Sequence, residues 1–313
     1  MADPFPVLAS ACAVPSRQRA STLTPYGQHE KLATRSHEQI REFCQFLAHE
    51  WRGTRYHSYA VPFRGKWRGR SRTVEGKWSA VGLADAVSRY AWRGKNFSEN
   101  KAELDRLAAD LQFAIQRDSN SDVCAILWAI MHWGGVDNKY RQKGTFEWIE
   151  QNADDICAKL SNAVDLLKDE QASLDSFDGL DLIMNSTMTR IVSLADPEQK
   201  LVIYDGRVGG ALGYFVARFV EEREIHQYDL ADQLLFAVDR EAKRRPDTNR
   251  IHFPALFGLA RDRCHASMVR WASQLIWQVA KECQVSPREI EAALFMWGYN
   301  VLRGNDVAEE PKH

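Results

Sequence analysis

The chain has 313 residues, of which 45% are hydrophobic and 27% are charged. A chain of this length and composition buries a full core, which excludes a disordered protein and a disulfide-stapled miniprotein. Lys and Arg number 41 against 42 Asp and Glu, so no overall charge draws the chain to nucleic acid or to a membrane. The six cysteines form no CxxC pair and no Cys/His cluster, which predicts buried thiols in a reducing cytosol and no bound metal.

The N-terminal stretch predicts a flexible arm. Residues 1–34 are rich in Pro, Ser and Thr and lack helical or strand periodicity. They also lack the basic start and unbroken apolar core of a signal peptide, and no apolar run in the chain approaches the length of a membrane span. We therefore expect a cytoplasmic protein that does not bind membranes.

Apolar residues recur at three- and four-residue spacing through most of the chain, which predicts amphipathic helices. The predicted helices span 36–49, 104–115, 122–133, 156–167, 187–194, 230–242, 268–283 and a last stretch from 287. Ser36 and Ser286 are the predicted N-caps of the first and last helices, with Gln39 and Glu289 at the capping-box positions. Only residues 201–204 resemble a short strand, and residues 55–78 predict a small irregular or β element. We predict an all-α fold.

Basic residues concentrate between Trp51 and Lys95, where eleven of them stand against two acids. Aromatic residues alternate with these charges, a mixture that suits guanidinium contacts to phosphates and ring contacts to bases. The alternative is a solvated loop whose arginines pair with the acidic remainder of the chain. The expected DNA-binding residues of this segment are Arg64, Lys66, Arg68, Arg70 and Arg72.

The apolar run at residues 201–204 delivers Asp205 to the start of a predicted helix. Backbone amides at a helix N-terminus favour an ionised carboxylate. Such a carboxylate can stabilise a developing positive charge or activate a water molecule. The simpler interpretation is that Asp205 is only an N-cap.

Three stretches of sequence resemble the helix-hairpin-helix DNA glycosylase superfamily, most closely its 8-oxoguanine DNA glycosylase-like bacterial branch. They are LVIYDGRVGGAL from Leu201, IMHWGGV from Ile130 and REIEAALFMWG from Arg288. The resemblance implies an all-α fold of two helical lobes around a DNA-binding cleft, with Asp205 as the catalytic aspartate. We place the boundaries at 1–34 for the arm, 35–135 and 136–305 for the lobes, and 306–313 for a tail.

The resemblance also assigns DNA contacts. Asn185, Ser186 and Thr187 fall at the family's hairpin turn, and Arg207 follows the catalytic aspartate closely. The hairpin glycines are absent, although Ser and Thr hydroxyl groups can donate to a phosphate in their place. Arg190 falls near the position that a lysine holds in the bifunctional members.

This arginine decides the expected mechanism. A guanidinium stays protonated and cannot act as an amine nucleophile, so Arg190 implies a monofunctional glycosylase that leaves an abasic site. Lys200, five residues before Asp205, is a backup amine for a Schiff-base route. Trp133 and Trp297 are the expected walls of a base pocket, and simple core packing is the alternative for both.

The expected function is hydrolysis of the N-glycosidic bond of a damaged or modified base in double-stranded DNA, as in DNA repair. The expected base is oxidised guanine or another modified base, and modified bases of foreign DNA belong to this second group. We expect a monomer that acts at the nucleoid without a cofactor. Two alternatives stay open: a non-catalytic DNA-binding protein on the same fold, and a metal-dependent nuclease that uses the triplet Glu198-Gln199-Lys200.

Overall fold

A computed structural model describes residues 25–67, 70–136, 143–256 and 261–302, with the backbone alone described at 25–35, 62–67, 70–75 and 143. This part contains ten α-helices and one two-stranded sheet, which confirms a mostly helical fold with a small β element. In chain order the elements are α1 (Pro25–Arg52), β1 (Tyr56–Trp67), β2 (Arg70–Val81), α2 (Gly82–Ser88), α3 (Phe97–Gln116), α4 (Asn120–Trp133), α5 (Lys143–Gln151), α6 (Ile156–Lys168), α7 (Ser186–Ala195), α8 (Gly206–Glu222), α9 (Arg261–Cys283) and α10 (Pro287–Trp297).

The β element predicted near residues 55–78 is an antiparallel hairpin, in which Tyr56 pairs with Val81 and the register continues along both strands. An isolated two-stranded hairpin is marginally stable in water. Here its base packs on α10, because the Tyr59 hydroxyl donates to the Met296 carbonyl at 2.7 Å. The hairpin is therefore anchored to the helical core.

The buried apolar side chains of the described residues form one cluster that extends from Phe43 to Val301. Helix α10 lies inside it and packs against α2, α8 and α9. At the C-cap of α10, a Cβ on Gly298 would lie 1.8 Å from the Arg207 carbonyl oxygen. The glycine thus lets the end of α10 touch the first turn of α8, which brings the C-terminal helix to within two residues of Asp205 along the chain.

Two predicted helices differ from the structure. Helix α1 begins at Pro25, so Ser36 lies inside it, and Gln39 bonds instead to the backbone of Asp229 and Ala231. The helix predicted over 230–242 is wrong: that stretch holds only short 3-10 turns. Its consecutive residues 236–238 are all fully buried, and a buried extended chain produces the same apolar run as a helix that is buried on every side.

Cys44 and Cys157 are buried free thiols, as expected, and burial raises the pKa of each. Cys264 is disulfide-bonded, which contradicts the prediction for that residue. None of the helices in the described part of the chain is both long and apolar enough to cross a membrane.

Candidate functional site

The segment that delivers Asp205, residues 201–204, is extended and buried but pairs with no strand among the described residues, which corrects the strand prediction. Side chains bind its amides instead. Asp196 Oδ2 accepts from the Leu201 amide at 3.0 Å, and Ser273 Oγ accepts from the next amide at 3.0 Å. Glu291 Oε2 accepts from the Ile203 amide at 2.8 Å. Because a buried amide needs a partner, these side chains fix the path of the segment.

The last residue of this segment is fixed in the same way. The Tyr204 carbonyl oxygen lies 3.2 Å from Thr189 Oγ1 and 2.9 Å from His265 Nε2. The Tyr204 hydroxyl donates to the Ala237 carbonyl at 2.6 Å. Three separate parts of the chain therefore hold the residue that precedes Asp205.

Asp205 is the N-cap of α8. Its Oδ1 accepts from the amides of Arg207 at 2.9 Å and Val208 at 3.1 Å. Over the described ranges, no group donates a hydrogen bond to its Oδ2, and the side chain is half-buried. Both interpretations of this carboxylate are therefore compatible, since one oxygen caps the helix and the other is available to a ligand.

Asp205 lines a narrow pocket with a cavity volume of about 30 Å³ between α3, α4, α7, α8 and α10, so its walls must move apart to admit a base. Five of the residues that line it are aromatic: Tyr90, Trp92, Phe97, Trp133 and Phe295. Trp92 meets Phe295 edge-on, with ring centroids 5.4 Å apart. Aromatic walls of this kind suit a flat heterocycle, because offset and edge contacts between rings are favourable.

The two predicted pocket tryptophans have different positions. Trp133 lies in the pocket wall together with Asp205. Trp297 is 0% exposed, does not line this pocket, and stacks on His57 with centroids 4.6 Å apart. The assignment of Trp297 to the base pocket is therefore wrong, and the ring is part of the core that anchors the hairpin.

Arg190, a residue of α7, also lines the pocket. Its side chain lies beside Gly134, at the C-terminal end of α4. A Cβ on Gly134 would lie 2.5 Å from its Nη1, so the glycine leaves the room that the guanidinium occupies. Burial lowers the pKa of Arg190, and the charge of Asp205 opposes that shift. Arg190 makes no ion pair or hydrogen bond through its side chain within the described ranges.

Arg207 lies in a cage of aromatic rings. Its guanidinium carbon is 4.3 Å from the centroid of Phe295, 4.9 Å from that of Tyr299 and 5.5 Å from that of Trp92. Cation–π contacts stabilise a guanidinium but leave its N–H edge available for hydrogen bonds. Burial lowers the pKa of Arg207, again opposed by Asp205. Two guanidinium groups thus adjoin one carboxylate.

The residues predicted for the hairpin turn form the start of α7. Asn185 is its N-cap and accepts from the Thr187 and Met188 amides at 2.9 and 3.2 Å. Asn185 and Ser186 line a second, wider polar groove together with Arg261. Thr187 is only 1% exposed, and its hydroxyl has no partner. A DNA contact by the Thr187 side chain is therefore contradicted, and the Asn185 side chain also donates to Thr145 Oγ1 at 3.0 Å, whereas Ser186 stays available.

Lys200 does not share the pocket with Asp205. It is exposed, and its Nζ lies 2.5 Å from Glu198 Oε2. Lys168 binds the same Glu198, and the two lysines lower the pKa of that carboxyl to about 2. The backup-amine assignment of Lys200 is therefore wrong. The triplet also lies on a turn rather than on a strand, and no cluster of three or more metal-ligating side chains occurs in the part of the chain that is described.

Sequence reasoning missed most of the pocket wall, including two polar residues, Asn100 and Tyr90. Asn100 and Tyr90 are 3% and 8% exposed, and both line it. Trp133 Nε1 donates to Asn100 Oδ1 at 2.9 Å, and Asn100 Nδ2 donates to the Tyr90 hydroxyl oxygen at 2.9 Å. The available signal was an asparagine four residues before Leu104, on the apolar face of α3.

The predicted DNA-binding residues of the hairpin cannot be placed in the site. The side chains of Arg64, Lys66, Arg70 and Arg72, and all of Arg68, lie outside the described residues. Compared with protein-family models, curated proteins and solved structures, the chain matches none. The resemblance to helix-hairpin-helix DNA glycosylases therefore stays a prediction, which depends on the residues of this chain alone.

Proposed function

We propose that this chain is a monofunctional DNA N-glycosylase of the helix-hairpin-helix type, with two helical lobes around a DNA-binding cleft. One observation carries the proposal: Asp205 presents an unbonded Oδ2 to an aromatic-walled pocket that also holds the guanidinium of Arg190. This arrangement combines an anion for a cationic transition state, walls for a base, and no amine at the expected nucleophile position.

The chemistry follows from these groups. The rings of Trp92 and Trp133 enclose the extruded base, and the sugar lies against Asp205. As the N-glycosidic bond breaks, positive charge develops on the sugar, and the carboxylate stabilises it. The electrons of the broken bond leave with the base. Water adds to the anomeric carbon, the proton that this water loses neutralises the departing base, and an abasic site remains. Arg190 cannot form a Schiff base, because its guanidinium stays protonated.

Double-stranded DNA is the proposed partner. The polar groove at the start of α7 is lined by Ser186, Arg240 and Arg261, and hydroxyl groups and arginines are common contacts to phosphate. The basic hairpin adds a second contact, as its sequence predicts. We propose that the protein acts as a monomer without a cofactor on a damaged or modified base, oxidised guanine among the candidates.

A strand-cleavage assay tests the proposal. Wild-type protein is incubated with duplexes that each carry a single modified base, in the presence of EDTA, and strand breaks are scored with and without alkali. We expect breaks at one class of base only after alkali, because hydrolysis leaves an intact backbone at the abasic site. Breaks without alkali would require an amine nucleophile, for which Lys101 in the same pocket is the candidate, and would contradict the monofunctional assignment.

The decisive variant is Asp205→Asn, which keeps the size of the side chain and removes its charge. We expect it to bind the duplex but to produce no alkali-sensitive sites. Asp175→Asn is the matched control, because Asp175 is an exposed acid that pairs with Arg263 outside the pocket. Tight DNA binding without cleavage by the wild type would instead favour a non-catalytic DNA-binding protein.

A further inference from the structure

A buried chain of hydrogen bonds ends at the wall of the pocket. It runs from the Trp133 indole to the Asn100 amide and from that amide to the Tyr90 hydroxyl, with both distances at 2.9 Å. All three side chains line the pocket, and each is at most 9% exposed. These hydrogen bonds are therefore shielded from bulk water except through the pocket.

The donor and acceptor of each of these hydrogen bonds follow from the groups involved. An indole N–H can only donate, so the amide must turn its oxygen toward Trp133. Its NH₂ group then faces Tyr90, and the tyrosine oxygen must accept. The orientation of an asparagine amide is ordinarily ambiguous, but the donor-only partner removes the ambiguity here. The hydroxyl hydrogen of Tyr90 must consequently point away from Asn100.

Nothing in the described protein accepts that hydrogen. The Tyr90 hydroxyl donates to no group of the described ranges, and the neighbouring rings of Phe97 and Phe295 offer no acceptor atom. Burial raises the pKa of Tyr90 far above neutral pH, so the group remains a donor. The remaining direction for the O–H bond is the pocket itself.

We infer that Tyr90 is a specificity-determining residue, which donates its hydroxyl hydrogen to an acceptor atom of the base in the pocket. The inference rests on the proposed function, because it assigns the recognition of the base that Asp205 would release. A base with a carbonyl oxygen or an unprotonated ring nitrogen at this wall satisfies the donor. A base without an acceptor there leaves a buried hydroxyl unpaired, and a site of that kind discriminates against it.

Binding of free heterocycles tests the inference without any cleavage step. Isothermal titration calorimetry compares hypoxanthine, which carries acceptors, with indole, a ring system of similar size that carries none. We expect Tyr90→Phe to weaken hypoxanthine binding about five- to tenfold, the range of one neutral hydrogen bond, and to tighten indole binding, because the variant no longer leaves a buried hydroxyl unpaired. Equal changes for both ligands, or no hypoxanthine binding to the wild type, would overturn the inference.

A second variant keeps the tyrosine. In Asn100→Asp the side chain has nearly the same shape, but its carboxylate accepts from both Trp133 and Tyr90 and turns the hydroxyl away from the pocket. We expect the same selective loss of hypoxanthine binding, with circular dichroism to verify the fold. Tyr228→Phe removes a hydroxyl from a tyrosine that is 70% exposed and is the control. If folded Asn100→Asp binds hypoxanthine as the wild type does, Asn100 does not orient the Tyr90 hydroxyl and the inference is contradicted.

Failure of this inference and failure of the proposed function are distinguishable. If calorimetry shows the Tyr90-dependent preference but no duplex is cleaved, the pocket binds heterocycles through an acceptor atom and the glycosylase proposal is wrong. If duplexes are cleaved and Tyr90→Phe treats all bases as the wild type does, the glycosylase assignment stands and the role of Tyr90 is wrong.

Discussion

Two arginines of the same pocket are held in opposite ways. Arg288 Nη1 lies 2.8 Å from both carboxylate oxygens of Glu291, and its Nη2 donates to Ser193 Oγ at 3.0 Å. Arg190 has no such partner among the described residues, although it is also largely buried. Since a buried unpaired charge is costly, a protein retains one where a ligand or a reaction uses it.

The comparison separates support from chemistry. Glu291 also accepts from the Ile203 amide, and Ser193 donates to the Leu201 carbonyl at 2.7 Å. The paired arginine therefore belongs to the group that fixes the segment before Asp205. The unpaired Arg190 adjoins Asp205 itself and is available to an anionic part of a ligand.

The largest expected effect on stability is that of Arg288→Met. The substitution leaves Glu291 buried without its counter-charge, and breaking such a pair costs about 3–5 kcal/mol of unfolding free energy. Urea denaturation measures it. Arg106→Met is the matched control, because the exposed pair with Asp110 contributes less than about 1 kcal/mol. A loss at Arg288 no larger than the control would remove the distinction between the two arginines.

Gly298→Ala comes next. Its Cβ would collide with the Arg207 carbonyl oxygen, so α10 and α8 must separate, at a cost of about 1–3 kcal/mol. Gly144→Ala is the control, since nothing lies within 4 Å of a Cβ there. We expect the melting temperature to fall for Gly298→Ala only. Because the shift also moves Arg207, activity should fall with it in the strand-cleavage assay.

The stability of the protein should depend on pH through His265, which the folded state keeps neutral. Burial lowers the pKa of His265, whose ring binds the Tyr204 carbonyl. The unfolded chain then binds more protons than the native state as the pH falls below the ordinary histidine value of about 6.5. Unfolding free energy should therefore decrease with acidification, by at most about 1.4 kcal/mol per pH unit from this group. His265→Gln should flatten that slope in urea titrations between pH 7 and pH 5.

The smallest effect on stability is expected for Arg190→Met. Removing an unpaired buried charge is neutral or mildly stabilising, so unfolding free energy should change by less than about 1 kcal/mol. Binding and excision of the modified duplex should nevertheless weaken, because the guanidinium is the group available to an anionic part of the ligand. A variant that is strongly destabilised, or one that is fully active, would show that Arg190 belongs with Arg288 after all.

Arg190→Lys sharpens the same test. A lysine places an amine that can lose its proton at the position where the guanidinium lies. We expect a measurable fraction of strand breaks to form without alkali, and borohydride to trap a covalent complex with DNA. Lys200→Arg, which alters an exposed lysine outside the pocket, should behave as the wild type does.

Local signals predicted much of the fold. Ser286 and Glu289 form the expected capping box, Asp205 is the expected N-cap, and α4 ends at Gly134 as expected. Capping depends on residues within one turn, so the sequence contains the information. The helix predicted over 230–242 failed because an apolar run does not distinguish a buried strand-like chain from a buried helix.

The site was harder to predict than the helices. Lys200 and Arg190 are both close to Asp205 in sequence, and only the turn before residue 201 shows that the lysine faces solvent. Tyr90 bonds to Asn100, ten residues later, and the bond between Asn100 and Trp133 exists only after α3 and α4 have packed together. Sequence periodicity identifies the buried face of each helix but not the partners across it.

The side-chain hydrogen bonds to residues 201–203 have a consequence for solvent exchange. Amides in irregular chain usually exchange their hydrogen with water quickly, whereas these three are buried and donate to Asp196, Ser273 and Glu291. These amide hydrogens can exchange only when their hydrogen bonds to the three side chains break, which requires a larger opening of the core. This stretch should therefore stay protonated in deuterated water about as long as the interior of the neighbouring helices, even though it is neither helix nor sheet.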